Sequence, residues 1–182
     1  MSKKPKPEKT DRSKLEEEYP QLRTTPPPKL VRSRKMTQEE LHRLSRDYVL
    51  AHEKLTILSR DYVIEHGKKF GEGLWWDRSD GYYICDFSED EEEGVYYTGL
   101  GYDLYKNGSL KFYRYYEDGL EHGDEAEFYP SGVLKSYTVN RKKHWYSLAY
   151  EWNENGMIRY HFDGQQDLCV DEEGYMLIPE KV

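Results

Sequence analysis

Long apolar runs and cysteines are both scarce in this chain. Nowhere do about 18 apolar residues follow one another, and the basic N-terminus precedes no apolar stretch, so we predict neither a membrane span nor a secretion signal. The two cysteines, Cys85 and Cys169, have no metal-like spacing and make no disulfide framework, so we expect both to be reduced. These absences predict a cytoplasmic protein.

Apolar residues in general are also few. Of 182 residues, 36% are hydrophobic and 34% are charged, which is lean for a thick core and favours one domain built on a thin sheet. Residues 1–70 hold 17 basic and 11 acidic side chains, whereas residues 71–182 hold 10 basic and 24 acidic ones. The acidic part disfavours nucleic acid, because phosphate binding depends on basic clusters. It favours a basic protein partner instead.

Catalytic and metal-binding patterns are missing from the sequence. The six histidines are scattered without an HExxH grouping, and no Ser or Cys lies in a nucleophile-elbow context. The acidic run at residues 86–93 lacks the EF-hand spacing and its glycine. We therefore predict a protein that is not an enzyme and has no cofactor or metal. A solvated loop is the favoured interpretation of the acidic run, and contact with a basic partner through Glu91 and Glu92 is the alternative.

A short pattern recurs at a fixed interval in the C-terminal part. Gly108, Gly132 and Gly156 are each 24 residues apart. In each copy an aromatic residue comes first. A turn pair that ends in the glycine follows, and then a run of alternating apolar and basic residues. Asn-Gly is a strong hairpin signal because both turn residues need positive φ. The period therefore predicts a stack of like β-hairpins, an antiparallel meander with weaker end copies at Gly81 and Gly174.

The strands of this meander can be placed approximately from the pattern. Further turns are predicted at residues 118–119, 140–141 and 163–164, between the repeated glycines. The predicted strands cover residues 102–106, 109–116, 126–129, 133–139, 145–152 and 157–162.

The repeat resembles a known family. The segments YYEDGLEHG at residues 115–123 and EFYPSGVLK at 127–135 look like the variant MORN repeat, in which a "dG..hG" segment alternates with a "yy.nGklk" segment. The resemblance covers roughly residues 71–178, and it departs at residues 140–142, where the second glycine is lacking. It implies a MORN-like fold. Proteins built this way are often similar to the antitoxin or immunity proteins of bacterial toxin systems.

Residues 37–66 change to a helical pattern. Thr37 and Glu40 form a capping box, Gly67 is a plausible C-cap, and no proline or glycine intervenes. We predict one long amphipathic helix over residues 36–67, with a heptad seam formed by Leu41, Leu44, Tyr48, Ala51, Leu55, Leu58 and Tyr62. Residues 44–49 recur as residues 58–63, which reinforces the seam. Packing on the sheet is favoured over self-pairing as a homo-oligomer, and docking on another protein is a third use.

The remaining segment completes the predicted domain organisation. Residues 1–35 are basic and proline-rich with few large apolar groups, so they are expected to be a disordered tail. The fold class is therefore mainly β: a single-layer antiparallel meander of MORN-like hairpins over residues 71–182, preceded by the long helix and the tail.

The function predicted from these features is binding of a basic protein by the acidic, tyrosine-rich sheet. The family resemblance narrows the partner to a toxin, and a scaffold subunit that oligomerises through the helix and tail is the alternative. Tyrosine buries much area at little entropic cost, although cross-strand pairing within the sheet would explain the tyrosines equally well. The predicted partner-binding residues are Tyr113, Tyr115, Glu121, Asp124, Glu125, Glu127, Glu91 and Glu92.

Overall fold

The computed structural model describes residues 29–77, 83–86, 95–141 and 145–180 of the chain. Three short helices precede most of the strands: α1 (Gln38–Arg43), α2 (Arg46–His52) and α3 (Arg60–His66). The thirteen strands in this part of the chain are β1 (Leu30–Lys35), β2 (Lys68–Lys69), β3 (Leu74–Asp77), β4 (Tyr83–Asp86), β5 (Val95–Tyr96), β6 (Gly99–Leu104), β7 (Leu110–Glu117), β8 (Leu120–Phe128), β9 (Leu134–Arg141), β10 (Trp145–Trp152), β11 (Ile158–Phe162), β12 (Asp167–Val170) and β13 (Tyr175–Pro179).

The chain divides into two compact units. The smaller unit comprises residues 1–31 and 179–182, and within its described part the backbone N–H of Glu180 donates to the carbonyl of Lys29 at 2.7 Å. The ammonium of Lys29 also pairs with the Glu180 carboxylate at 3.2 Å. The larger unit, residues 32–178, holds the helices and nearly all of the strands.

Ten strands form one open sheet in the order β1-β13-β12-β11-β10-β9-β8-β7-β6-β2. From β6 to β13 each strand pairs antiparallel with the next one along the chain, and β2 adds parallel to β6. A second sheet has the order β3-β4-β5. The predicted mainly β meander is confirmed.

The 24-residue period is visible in the hairpin turns. The N–H groups of Gly108, Gly132 and Gly156 each donate to the carbonyl three residues earlier, at 2.8 to 2.9 Å. All three glycines have φ between 82° and 88°. The residues before them do not share that conformation, since Asp118 has the only positive φ among the described non-glycine residues. The repeated turns are therefore not the Asn-Gly type with two positive φ values, which only the Asp118-Gly119 turn matches.

Burial follows the same period. Leu110, Leu134 and Ile158 are buried at equivalent positions, and so are Phe128 and Trp152. Two tyrosine hydroxyls join successive repeats by donating to carbonyls 23 residues ahead, Tyr105 to Phe128 and Tyr129 to Trp152, each at 2.8 Å. Each repeat thus buries side chains at the same positions in a continuous core, as expected of stacked units.

Gly132 offers a clean test of this turn. Its φ is 83°, and a Cβ built there would meet no atom within 4 Å. Gly132→Ala is therefore expected to destabilise the protein by about 1 kcal/mol through backbone strain alone. Gly132→Asn should cost less, because asparagine tolerates this conformation better. Urea unfolding of both variants checks this, and equal stability of Gly132→Ala and the wild type would contradict the turn.

Two details of the strand prediction need correction. β8 begins at Leu120, well before the predicted residue 126, because Gly123 lies inside the strand with φ of 79° instead of ending it. The predicted turn at Asn140 and Arg141 is also wrong, since both residues belong to β9. The local signals for a breaker were present, but Gly123 pairs with Asn140 of β9 while the ladder to β7 shifts register around it, and Asn140 and Arg141 pair with β10.

The single long helix is wrong. The capping box at Thr37 and the cap at Gly67 are present, but the helical segment breaks twice, and residues 53–59 are not helical. Ser45 and Ser59 occupy N-cap positions, with the Ser59 hydroxyl accepting from the N–H of Tyr62 at 3.3 Å. Serine favours such caps over helix interiors. The predicted heptad seam, and the coiled coil built on it, both require one continuous helix. The described residues 37–66 do not form one.

The duplicated sequence instead builds two equivalent helical units on the sheet. Val49 of α2 and Val63 of α3 are buried in the main core. The Arg46 N–H donates to the carbonyl of Gly156 at 3.0 Å, and Nε of Arg60 donates to that of Gly108 at 2.9 Å. Each unit therefore places one valine in the core and one arginine on a repeat turn. The predicted packing of this segment on the sheet is confirmed.

The N-terminal end of the sheet corrects the tail boundary. Leu30–Lys35 form β1, so the predicted disordered tail does not extend to residue 35, and its residues 1–28 lie outside the described residues. Arg32 stabilises this part of the larger unit by pairing with Asp171 at 2.5 Å and Glu173 at 2.7 Å.

Among the helices described here, none is long and apolar enough to span a bilayer.

Candidate functional site

The two faces of the ten-stranded sheet have different surroundings. One face, called the helix face below, packs its row of Tyr102, Tyr113, Ala126, Tyr137, Tyr150, His161 and Leu168 towards the helices. The residues between them point to the opposite side, because side chains alternate along a strand. That opposite side carries most of the candidate site, and we call it the acidic face.

Tyr113 and its neighbours on the helix face are structural. Tyr113 is fully buried, its hydroxyl donates to the carbonyl of Thr56 at 3.1 Å, and it accepts from the N–H of Leu58 at 3.2 Å. Burial raises the pKa of Tyr113 to about 12. The prediction that Tyr113 binds a partner is therefore wrong. Tyr115 and Asp124 also lie on this side, half-buried, with Tyr115 packed against the core.

The acidic face is defined by two rows of directly opposed residues. The first row is Asp103, Phe112, Glu127, Ser136, Glu151, Tyr160, Cys169 and Leu177. The second row is Gly101, Arg114, Glu125, Thr138, Ala149, Phe162 and Asp167. Glu121 extends this face beside Tyr116.

At the β6 end, this face is covered by the chain itself. A second core cluster joins Leu74, Tyr97 and Tyr116, with Phe70 packed against it. A Cβ at Gly101 would come within 3.1 Å of the side chains of Tyr116, Leu74 and Phe70. This close packing anchors the region before the meander against β6 and β7.

Arg114 organises the middle of the acidic face. Its guanidinium pairs with three glutamates of β8: Nη1 donates to Glu121 at 3.1 Å and Nη2 donates to Glu127 at 3.0 Å, while Nε lies 2.6 Å from Glu125 in an ion pair without hydrogen-bond geometry. Burial acts to lower the pKa of Arg114, but the three carboxylates outweigh it and the net shift is upward. Burial raises the pKa of Glu125 despite the nearby arginine. Three of the predicted partner-binding carboxylates are thus engaged within the protein.

A periodic set of carboxylates lies along the first row. Asp103, Glu127 and Glu151 are spaced 24 residues apart and sit on alternate strands, which places each roughly 9.5 Å from the next. The first two are paired with Lys111 and Lys135, each at 3.0 Å. Arg159 occupies the equivalent basic position of the third repeat but bonds Glu172 at 3.3 Å. Glu151 is exposed, and it makes no ion pair with a described side chain.

The charges of this face do not cancel. Among its described residues are six carboxylates and five cations, Lys68, Lys111, Arg114, Lys135 and Arg159. Lys111, Arg114 and Lys135 pair with these carboxylates, Arg159 bonds Glu172, and Lys68 lies over the Tyr97 ring at the β6 end. The carboxylates are those of Asp103, Glu121, Glu125, Glu127, Glu151 and Asp167. The face therefore keeps a negative excess, concentrated towards β10–β12, where Glu151 and Asp167 lie.

The sequence identified part of this surface and missed another part. Glu121, Glu125 and Glu127 do lie together on one face, while Glu91 and Glu92 lie outside the described residues. Asp103, Glu151 and Asp167 were not predicted. The 24-residue spacing of Asp103, Glu127 and Glu151 is a signal that could have identified two of them. Asp167 follows no such period, and only the strand register brings it to this face.

A cleft of about 340 Å³ lies on the other side of the sheet, between α1 and β11–β13. Met36, Leu44, Leu168 and Met176 are its apolar lining residues. Its charged residues are held by local contacts: Arg34 pairs with Glu40 at 2.6 Å, and backbone N–H groups of Gln165 and Gln166 lower the pKa of Asp163. The cleft can accommodate a small apolar group.

Neither a metal site nor a relationship to a known protein emerges. Within the described ranges, no group of three or more His, Cys, Asp or Glu residues is arranged to hold a metal ion. The thiol of Cys169 is free. No family model, curated protein or solved structure matches this chain.

Proposed function

We propose that this protein is a non-catalytic binding module that takes a basic protein partner on its acidic face. The observation that carries this proposal is the negative excess of that face, where three cations pair with six carboxylates among the described residues. The other two cations, Lys68 and Arg159, lie over the Tyr97 ring and on Glu172. Complementary charge raises the rate of encounter and rejects wrong partners. The sheet supplies a rigid platform on which these charges keep a constant spacing.

The binding surface lies on a different part of the sheet from the residues first expected. The carboxylates of β8 are bound by Arg114, so they shape the local field without being free to pair. Glu151 and Asp167 are available for direct contact, since neither makes an ion pair with a described side chain. Half-buried Tyr160 and Phe162 lie in the same two rows and add apolar contact area.

The kind of partner is proposed from the resemblance of the repeat. We propose that the 24-residue units are variant MORN repeats and that the protein acts as an antitoxin or immunity protein that covers a basic toxin. Two features support this: the equivalent turns at Gly108, Gly132 and Gly156, and the acidic surface that those repeats share. The charge argument supports a basic protein, and the resemblance alone supports a toxin.

Charge neutralisation on matched faces tests the binding proposal. The probes are hexa-arginine and hexa-lysine peptides added to the full chain. A triple variant of the acidic face, Asp103→Asn, Glu151→Gln and Asp167→Asn, should weaken binding of both peptides by about tenfold at low salt, since exposed pairs contribute about 0.2 to 1 kcal/mol each. Binding to the wild type should also weaken as salt is raised. Isothermal titration calorimetry measures both effects.

A second triple variant on the helices is the control. Asp47→Asn, Asp61→Asn and Glu65→Gln remove the same number of negative charges from exposed positions of α2 and α3. It should change peptide affinity by less than about twofold, because exposed charges far from the contact are screened. Equal losses in the two triple variants would mean that only net charge matters, and they would overturn the assignment of the acidic face.

A further inference from the structure

We propose that Glu151, Asp167 and the ring of Tyr160 form a subsite for one arginine side chain of the basic partner. This inference rests on the proposed function and specifies the chemistry of its contact. The internal repeat of the protein contains examples of how this fold binds a guanidinium group.

Glu151 occupies a position that recurs in each repeat. Its equivalents Asp103 and Glu127 each receive a lysine ammonium from a residue eight positions later. The equivalent cation of the third repeat, Arg159, bonds Glu172 instead. The repeat therefore provides a carboxylate at position 151 without the cation that accompanies it elsewhere.

The surroundings of Glu151 include an aromatic ring and a second carboxylate. It lies directly opposite Tyr160, whose hydroxyl donates to the Asp167 carboxylate at 2.6 Å. Cys169 is the next residue of the same row. Burial, followed by the charges of Asp167 and Glu151, raises the pKa of the Cys169 thiol. Both carboxylates therefore act on one neighbourhood of the surface, with the tyrosine ring at its centre.

This protein binds arginine in two similar settings. Arg114 lies over the ring of Phe112, with 4.9 Å from Cζ to the ring centroid, and pairs with three glutamates. Arg32 lies over the ring of Tyr175 at 4.7 Å and bonds Asp171 and Glu173. Phe112 and Tyr160 occupy equivalent positions, two repeats apart. Lys111 and Lys35 also lie over these two rings, at 5.8 and 5.4 Å, so an aromatic ring flanked by carboxylates is the setting in which this fold holds a cation, whether guanidinium or ammonium.

Arginine is favoured over lysine at this subsite by the chemistry of its side chain. A guanidinium is planar, stacks on an aromatic face and presents several donors, so it can bond two carboxylates at once. An ammonium is a compact, strongly hydrated charge that gains less from the ring. The subsite should therefore distinguish the two side chains, which a purely electrostatic surface would not do.

The test compares hexa-arginine with hexa-lysine on single variants of the full chain. Wild-type protein should bind hexa-arginine several-fold more tightly than hexa-lysine. Glu151→Gln should weaken hexa-arginine binding by about fivefold. Glu154→Gln is the matched control, because Glu154 is an exposed glutamate three residues away. The Ser131 hydroxyl donates a hydrogen bond to Glu154 at 2.6 Å, and a glutamine at this position can still accept it. It should change binding by less than about twofold.

Variants of the ring separate stacking from hydrogen bonding. Tyr160→Phe keeps the ring and should keep the preference for hexa-arginine, whereas Tyr160→Leu should remove most of that preference. Thermal unfolding of each variant shows that the fold is retained. Equal binding of the two peptides to the wild type, or equal effects of Glu151→Gln and Glu154→Gln, would overturn the subsite.

The outcomes also separate the subsite from the proposed function. If the acidic-face triple variant loses binding while Glu151→Gln behaves like its control, the binding face stands and the arginine subsite is wrong. If the wild type binds neither peptide, or the two triple variants behave alike, both proposals are overturned.

Discussion

Arg114→Met is expected to lower the free energy of unfolding by about 3 kcal/mol at neutral pH, because it leaves a partly buried carboxylate cluster without its cation. Arg114 pairs with Glu121, Glu125 and Glu127, and its side chain is only 19% exposed. Methionine keeps a similar length of apolar chain against Phe112, so the loss reports mainly on the charge. Urea denaturation of the variant and the wild type measures the difference.

The pH dependence of this loss identifies its cause. Burial already holds the pKa of Glu125 above its ordinary value of 4.5, and removal of Arg114 should raise it further. A carboxyl with a raised pKa in the folded state binds protons more tightly there than in the unfolded chain. Stability therefore increases as pH falls from neutral through the folded pKa towards 4.5. The deficit of Arg114→Met should narrow over that range.

Arg159→Met is the matched control for Arg114→Met. Among the described residues, Arg159 makes an ion pair with Glu172, and the two side chains are 41% and 83% exposed. An exposed pair of this kind contributes about 0.5 kcal/mol. Equal destabilisation by the two substitutions, or a deficit for Arg114→Met that does not change with pH, would show that the Arg114 cluster is not an electrostatic anchor.

Tyr113→Ala is expected to cost about 4 kcal/mol of stability, because it removes a fully buried aromatic side chain and leaves a cavity. Tyr113→Phe should cost about 1 to 2 kcal/mol, since it removes only the hydroxyl that bonds Thr56 and Leu58. Thermal or urea unfolding measures both. Comparing the two losses separates the stability that comes from packing of the ring from the stability that comes from the hydrogen bonds between residues 53–59 and the sheet.

Tyr62 supplies the control for Tyr113. It is 43% exposed on α3 and stacks on His66. Tyr62→Ala should change stability by less than about 1 kcal/mol. If Tyr113→Ala were as stable as Tyr62→Ala but bound basic peptides less well, the original assignment of Tyr113 to the partner surface would be restored.

The positions of the repeat turns were the most predictable part of the fold. The repeat turns depend on a glycine with positive φ and on alternation in the following residues, and both are local properties. Gly123 shows the limit of this reasoning. It has the same positive φ as the turn glycines, yet β8 continues through it: Gly123 pairs with Asn140 of β9, while the ladder to β7 shifts register there. A local signal for a breaker therefore did not decide the end of a strand.

The helical segment was predictable in composition and wrong in shape. Its apolar spacing, its capping box and the absence of proline and glycine all favoured one helix. Residues 53–59 leave the helix, and the backbone of Thr56 and Leu58 there bonds the hydroxyls of Tyr113 and Tyr137 on the sheet. Those partners are more than 50 residues away along the chain, so no local pattern could reveal them.

The repeat length, the glycine turns at residues 108, 132 and 156 and the acidic character of the sheet follow from the sequence alone, because turn conformation, alternation and charge are properties of neighbouring residues. Which charges remain for a partner depends on the folded sheet. Arg114 reaches three glutamates of the next strand, and Arg159 bonds Glu172 instead of Glu151. The physical reason is that ion pairing depends on distances across strands, which the register of the folded sheet sets.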